Sequence, residues 1–593
     1  MCYNKEKTNG AAKKEMAEKI LEPLKYYEGV GQATHAENVT AHFDGLVEKS
    51  GVNVEQNRAT VKKYKAEMAT AQKLRDRLTR KKVLRVFLIL GIIGCFVAAI
   101  VGVVKIADNG LLGGLLLGLG LALGIGGIVL VVKKINPSIR AVEELLAKHE
   151  KKAAEHRSEA EKQMAPLNAL FTDADTLRLI EKTMPQLDFD DGFSVENHDL
   201  FVRQFDLVDE QSVHCSVTDT LSGRCFGNPF LYCDKVFHTL GTETYHGTLT
   251  IYWTESYTDS NGNRRTRTVS QVLHASVTKP KPYYSQRKTL YYGSQAADEL
   301  SFSRVPQHSE DLSEKERERK IRRGAKKLAK KAEKATQQGG NFREMSNEEF
   351  DVLFGASDRN HEVQFRTMYT PLAQCNTVDL LTSQTGYGDD FYFTKRRRCN
   401  MITSEHAQGL SLDCSAYRYY SFDVDQARRN FTTFNTNYFK SLFFDFAPLM
   451  AVPAYQEEPV VSLERPEAYP SYYSVYEHEA MANQMGAQLA HAQSRTTSIL
   501  KTNFVGKENG ADRVAVTAYG YATAERVDLI PRLGGDGRMH AVPVPWIEYI
   551  PVQRTSQIAV GLHEDAKRTQ TEADRKRFAG DVLFHGLAAW LLE

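Results

Sequence analysis

VFLILGIIGCFVAAIVGVV, running from Val86 to Val104, and LLGGLLLGLGLALGIGGIVLVV, from Leu111 to Val132, decide the architecture of this chain. The first run has 19 residues and the second 22, and neither holds an Asp, Glu, Lys, Arg or His. At about 1.5 Å of rise per residue each is long enough to cross a hydrocarbon layer of about 30 Å as a helix. The link from Lys105 to Gly110 is too short for a domain and ends in Asn109-Gly110, which is turn chemistry. The two runs read as a transmembrane hairpin.

Flanking cations orient it. Lys73, Arg75, Arg77, Arg80, Lys81, Lys82 and Arg85 precede the first run, and Lys133, Lys134 and Arg140 follow the second, whereas the link carries Lys105 alone. Cationic flanks resist translocation, so the expectation is a multi-pass plasma-membrane protein with both termini cytoplasmic. Small residues recur every four positions: Gly94, Ala98 and Gly102 in the first run, Gly110, Gly114 and Gly118 in the second, with Gly120 and Gly124 as a further pair. Such spacing lets helix backbones approach closely, so Gly94, Ala98, Gly102, Gly114, Gly118, Gly120 and Gly124 are the predicted helix-packing positions, within the hairpin or between copies of it. An ion path is disfavoured, because charged or His residues usually mark one and neither run has any.

With 593 residues the chain has room for several domains. A formal charge of +2 gives no global attraction to nucleic acid, so anion binding has to be local. The eight cysteines form no C-x-x-C pair, which fits neither a zinc site nor a disulfide framework and suits reduced, mostly buried thiols in a cytoplasm.

Outward from the hairpin, residues 1–85 read as a cytoplasmic helical arm broken near Pro23 and Gly51, with Val61, Tyr64, Met68, Ala71 and Leu78 at three- and four-residue spacing. Residues 133–185 restart a helix at Asn136-Pro137 and carry Ile139, Val142, Leu146, His149, Ala153, His156 and Ala160 in the same rhythm. The two stripes predict a coiled-coil-like stalk, with two separate solvated helices as the alternative.

Residues 190–305 are rich in Thr, Tyr, Val and Phe and predict an antiparallel β-rich module. In it, Leu249, Ile251 and Trp253 share one strand face and Val269, Leu273, Ala275 and Val277 return after Asn261-Gly262. Residues 311–340 form a basic helix and linker: positions 314–334 hold eleven Lys or Arg against four Glu, a local charge of +7. Arg319, Lys320, Arg322, Arg323, Lys326, Lys327, Lys330 and Lys331 are the candidates for contact with anionic headgroups. A solvated connector is the plainer reading, and nucleic acid is disfavoured because no aromatics interleave the cations.

Residues 341–452 predict an α+β module: a helix capped by Ser346 and Glu349, a strand over Glu362 to Met368, a helix from Pro371, and strands at 390–396, 399–404 and 417–424. A Pro-containing linker, 453–472, leads to a C-terminal α+β module, 473–593. The latter is expected to hold a helix from Tyr473 to Gln493, strands near 498–505, 512–522, 525–532 and 542–552, and a closing amphipathic helix from Glu572 with Phe578, Val582, Leu583, Leu587 and Trp590 on its apolar face.

The hairpin, then Gly227-Asn-Pro-Phe230, Tyr245-His-Gly-Thr248, Phe350-Asp-Val-Leu-Phe354, Glu362-Val-Gln-Phe365 and Tyr369-Thr-Pro371, resembles a family of uncharacterised bacterial membrane proteins with two N-terminal spans and a soluble β-rich and α+β region. The likeness covers about residues 80–450 and implies architecture only. It carries over no catalytic residue.

Chemical motifs are thin. Tyr387-Gly-Asp-Asp390 has the letters of a metal-holding polymerase turn, but no second acidic motif accompanies it. His478-Glu479 opens like H-E-x-x-H, yet Ala482 and Asn483 follow. His214, His238, His246 and His274 fall on strands of one predicted sheet, where paired or exposed histidines are more common than a metal site. No catalytic residue, cofactor site or metal site is assigned. The expectation is a multidomain membrane protein: a non-enzymatic cytoplasmic scaffold whose partners are membrane lipids and other proteins, with self-association open. An inner-leaflet enzyme acting on lipid or envelope precursors and a small oligomeric pore are the alternatives.

Overall fold

The computed structural model describes residues 18–105, 110–208, 212–258, 263–461, 466, 468–562, 582–584 and 587–592. Two compact units emerge, one comprising residues 39–172 and 416–434, the other residues 1–38, 173–415 and 435–593.

The helices, in chain order, are α1 (Pro23–Tyr26), α2 (Gln32–Ser50), α3 (Val54–Lys105), α4 (Gly110–Leu130), α5 (Asn136–Asn168), α6 (Asp175–Thr183), α7 (Val195–Phe205), α8 (Glu314–Gln337), α9 (Glu348–Phe354), α10 (Glu362–Met368), α11 (Pro371–Thr382), α12 (Val424–Met450) and α13 (Val475–Met485). The strands are β1 (Leu187–Phe189), β2 (Cys215–Cys225), β3 (Asn228–Thr258), β4 (Arg264–Gly293), β5 (Ser301–Arg304), β6 (Phe391–Arg396), β7 (Cys399–Ser404), β8 (Ile499–Glu508), β9 (Ala511–Leu533), β10 (Met539–Leu562), β11 (Val582–Phe584) and β12 (Leu587–Leu592).

The first unit holds the apolar runs. Both lie in helices long and apolar enough to cross a membrane, and the most apolar windows are only 11% and 17% buried by protein. α3 and α4 pack closely where glycine removes a side chain. A Cβ on Gly102 would stand 2.7 Å from Leu117 N, one on Gly120 2.7 Å from Cys95 O, and one on Gly124 3.1 Å from Phe96. Gly94, Gly114 and Gly118 have nothing within 4 Å. Gly127, not anticipated as a packing position, lies 2.7 Å from Ile92 by the same construction. Ala98 is half-buried and its neighbour Ala99 buried. A helical seam uses one stripe, so only one of the overlapping four-residue series can face the partner helix.

Beyond these runs α3 and α5 lie antiparallel. Arg75 pairs with Glu150 at 2.6 Å, Lys82 with Glu143 at 2.8 Å and His149 with Glu67 at 2.5 Å. Ile139, Val142, Ala153 and Ala160 are buried along α5, and Val61 and Ala71 along α3. Residues 417–424 do not form the expected strand. Ala416–Tyr419 is a short 3-10 turn whose Tyr419 ring meets Phe431 at 4.8 Å and Phe171 at 5.5 Å, so aromatic packing replaces strand pairing.

The second unit is built on two antiparallel sheets. The larger has strand order β1-β2-β3-β4-β7-β6-β5, the smaller β11-β12-β10-β9-β8. One sheet therefore takes strands from both the 190–305 and the 341–452 stretches. α13 lies between the sheets: Ala480 and Tyr476 join Phe193, Phe201, Phe205 and Leu231, while Met481, Ala482 and Met485 join Leu500, Val514, Ile558 and Leu587. It ends at Met485, ahead of the expected Gln493, where Gly486 takes φ +49°.

Several local expectations are corrected. Glu362–Met368 is helix, not strand: Glu362, Phe365 and Met368 are buried at three-residue spacing while Val363 is 70% exposed, and the His361 ring caps the helix by accepting from Gln364 N. Asn347, not Ser346, caps α9, accepting from Phe350 N at 3.1 Å. Residues 197–205 fall in α7 rather than in sheet. At the C-terminus Val582–Phe584 and Leu587–Leu592 are strands, with Leu587, Ala588 and Ala589 buried consecutively against β10. Three adjacent buried positions suit a strand covered on both sides and not a helix face. Residues 572–581 of the expected closing helix lie outside the described residues.

The largest surprise is length. β3 and β4 pair continuously from Phe230 with Tyr292 to Thr258 with Arg264, although β2 accompanies β3 only as far as Phe237. The remaining twenty or so residues of β3 extend for roughly 60 Å as a free ribbon. β9 and β10 do the same: β8 leaves β9 at Tyr519, and the pair continues to Leu533 with Met539, a further span of roughly 45 Å. Gly534 to Gly537 closes this second hairpin, as the glycines suggest. The ribbons pack face to face through Ile251, Leu273 and Ala275 against Val542 and Val544, with Trp253, Leu249 and Val277 at the margin. Together they make a two-layer β arm. The spacing is tightest at Gly247, where a Cβ would sit 2.0 Å from Pro543 O. Gly247→Leu is accordingly expected to part the ribbons without melting the sheets. Hydrogen exchange should show lost protection confined to the arm, and unchanged exchange there would refute the packing argument.

Candidate functional site

Three places in the sheet-bearing unit gather charged or reactive groups. The first contains Tyr387-Gly-Asp-Asp390. Asp389 is fully buried and takes hydrogen bonds from Arg304, from Ser309 Oγ at 2.8 Å and from Gln307 N at 3.2 Å. Asp390 turns the other way and bonds His406 Nδ1 at 2.6 Å, while His406 Nε2 meets Ser441 O at 3.2 Å and lies 3.6 Å from Asp445. Tyr387 stacks on the His406 ring at 3.8 Å, and Tyr232 donates to Asp445 at 2.7 Å. Both nitrogens of His406 face oxygen acceptors, a setting for the imidazolium. Burial works against that charge, but the Asp390 hydrogen bond and the Asp445 carboxylate outweigh it and raise the His406 pKa. The two carboxylates thus point to different partners. This cluster ties β6 and β7 to α12, and the motif's letters mark a turn.

The second place is α13. Glu477 accepts from Thr220 Oγ1 at 2.7 Å and from Phe193 N at 3.1 Å, His478 bonds Asp512 at 3.0 Å, and Glu479 pairs with Lys501 and accepts from Val217 N at 3.0 Å. All three are buried and hold the sheets together. Of the four strand histidines, His214 and His238 stack at 5.8 Å beside a cleft of about 410 Å³ that also takes Tyr284, Tyr519 and Tyr521. His246 and His274 lie on the opposite, exposed side of the ribbon pair from Leu273 and Ala275. Among the described residues no group of three or more His, Cys, Asp or Glu is placed to hold a metal ion.

Comparison with protein-family models, curated proteins and solved structures gives no match.

The third place is α8, capped by a reciprocal Ser313–Glu316 box and without a buried residue. All eight cations singled out in the sequence lie on it. Arg319, Lys320, Arg323, Lys327 and Lys331 line one cleft of about 710 Å³, and Arg322 and Lys326 line another of about 590 Å³. Lys330 lines neither and is exposed.

The arm shows what sequence reading missed. On the side of β9–β10 turned away from β3–β4, register pairs Val527 with Pro545, Leu529 with Pro543, Pro531 with Ala541 and Leu533 with Met539. Val527, Leu529, Leu533 and Met539 are 59–66% exposed. The other ribbon is mixed on its outer side: Thr248, Thr250 and Thr254 face His274, Val272 and Thr268, with Tyr252 and Val272 as its exposed apolar members. The alternation of Val527, Leu529, Pro531 and Leu533 was available as a signal, but only the pairing shows that Ile530 and Val542 already fill the inner face.

Proposed function

We propose that this chain is a membrane-anchored scaffold that binds another protein through its β arm. The observation that carries the reading is the run of four apolar cross-strand pairs on the solvent side of β9–β10. Contiguous exposed apolar surface of this kind marks interaction sites, and here the hairpin is apolar on both faces although only one is covered. The bare ribbon edges add main-chain donors and acceptors to which an extended segment of a partner can pair. Two apolar helices supply the anchor, and the cation count beside them supports cytoplasmic termini.

Anchoring and orientation are tested together. Alkaline extraction is expected to leave the chain in the membrane fraction. An impermeant maleimide is expected to label Gly110→Cys in intact cells but to reach the exposed Cys375 only after permeabilisation. Labelling of Cys375 in intact cells would overturn the orientation. For the scaffold reading, a photo-crosslinker at Leu529 should trap a defined protein, while one at Thr250 on the outer side of β3 should not. Val527→Asp with Leu529→Asp should abolish the adduct. An adduct to a second copy of the chain would make the partner homotypic, and equal capture from both positions would sink the reading.

A further inference from the structure

One face of α8 gathers like charges. Arg319, Arg323, Lys327 and Lys331 follow one another at four-residue spacing, and each like-charged neighbour pair opposes the helix by roughly 0.2–0.5 kcal/mol. Among the described residues the one ion pair that the helix makes is Arg317 with Glu349 at 3.6 Å, outside this row. The acids beside the row are already engaged: Glu316 accepts from Ser313, and Asp351 bonds Arg359 at 2.7 Å and Met345 N at 2.8 Å. Five cations thus line the cleft against two carboxylates, Glu316 and Asp351, and Asp351 is taken up by Arg359, so the cleft keeps an excess of positive charge.

The cleft is a built feature. Gly324 lets α8 cross α9 closely, since a Cβ there would lie 2.4 Å from Val352. That crossing sets the row opposite Gln307, Gly355 and Ser357. Lys320 reaches into the wall, donating to Gln307 O at 3.2 Å and Ser309 Oγ at 3.3 Å, and its partial burial lowers its pKa. From position 319 to 331 the row covers about 18 Å, more than one phosphate can bridge. The cleft volume lies in the range of small-ligand sites. Arg forks and Lys ammoniums suit phosphate oxygens, and no aromatic side chain lines the cleft for a base to stack on.

We propose that the α8 cleft binds a ligand carrying two or more phosphate groups, whether borne on a lipid headgroup or free in solution. The site is independent of the arm, so its failure would leave the scaffold reading standing. The test uses the full chain in mild detergent, titrated with inorganic tripolyphosphate, with dioctanoyl phosphatidylinositol bisphosphate and with a single-stranded oligonucleotide. Either phosphate probe should bind, with affinity reduced about tenfold or more by Arg323→Glu with Lys327→Glu. The milder Arg323→Gln with Lys327→Gln should give a smaller loss, and Lys315→Glu, outside the cleft, none. Tighter binding of the lipid than of tripolyphosphate points to a headgroup, and the reverse to a free anion. Absence of binding by both phosphate probes, binding insensitive to the cleft substitutions, or preference for the oligonucleotide would overturn the proposal.

Discussion

Arg304→Leu is expected to destabilise the sheet-bearing unit by about 3–5 kcal/mol, the usual result of stripping one partner from a buried ion pair. The side chains of Arg304 and Asp389 are both fully buried, and the guanidinium also donates from Nε to Phe354 O at 3.1 Å and lies 4.2 Å above the Phe391 ring. Without it Asp389 keeps only neutral donors, Ser309 Oγ and Gln307 N, against a full desolvation cost. Adding Asp389→Asn should recover part of the loss, because the orphaned charge disappears, so the two substitutions should be strongly non-additive. Denaturant midpoints of the single and double variants in detergent measure this directly. Simple additivity would mean that the pair contributes nothing beyond its separate contacts.

Lys395→Met is expected to raise stability near neutral pH and to lose that advantage in alkali. Lys395 lies buried in β6, donates to Ala296 O at 2.9 Å and Arg397 O at 2.6 Å, and makes no ion pair among the described residues, the charges of Asp298 and Asp206 only partly offsetting its burial. Burial pushes its pKa down from 10.5 to about 7. The unfolded chain therefore holds this proton more tightly than the folded one. Below about pH 7 both states are protonated and the whole penalty is present; between about 7 and 10.5 folding releases the proton, so wild-type stability rises with pH. Above that window the penalty is gone. At about 1.4 kcal/mol per pH unit the gap between variant and wild type should narrow by about 5 kcal/mol across the window. Parallel pH profiles for the two proteins would show that the ammonium is not held as the structure places it.

How much of this was legible beforehand differs by element. The apolar runs, the basic helix and the strands Phe391–Arg396 and Cys399–Ser404 follow from patterns local to a few residues, so reading along the chain finds them. Glu362–Met368 misled because a short Glu-Val-Gln-Phe alternation fits period two, while the burial that decides the matter comes from an ion-paired Arg359–Glu362–Arg366 cluster. The buried partners of Tyr387-Gly-Asp-Asp390 were out of reach for a similar reason: Arg304 stands 85 residues from Asp389. Gly94, Gly114 and Gly118 satisfied the spacing rule as well as Gly102 and Gly120, and nothing in the spacing says which stripe meets the neighbouring helix.

By itself the sequence determined where apolar length suffices for a bilayer, where cations accumulate and which residues alternate, since those depend on neighbours in the chain. Only the tertiary structure decided that two hairpins outrun their sheets and fold onto each other, leaving Val527, Leu529, Leu533 and Met539 uncovered. It alone also decided that five cations of α8 share one cleft. A face becomes inner or outer, and a charge paired or bare, through groups brought together from distant positions, and that information is absent from any local window.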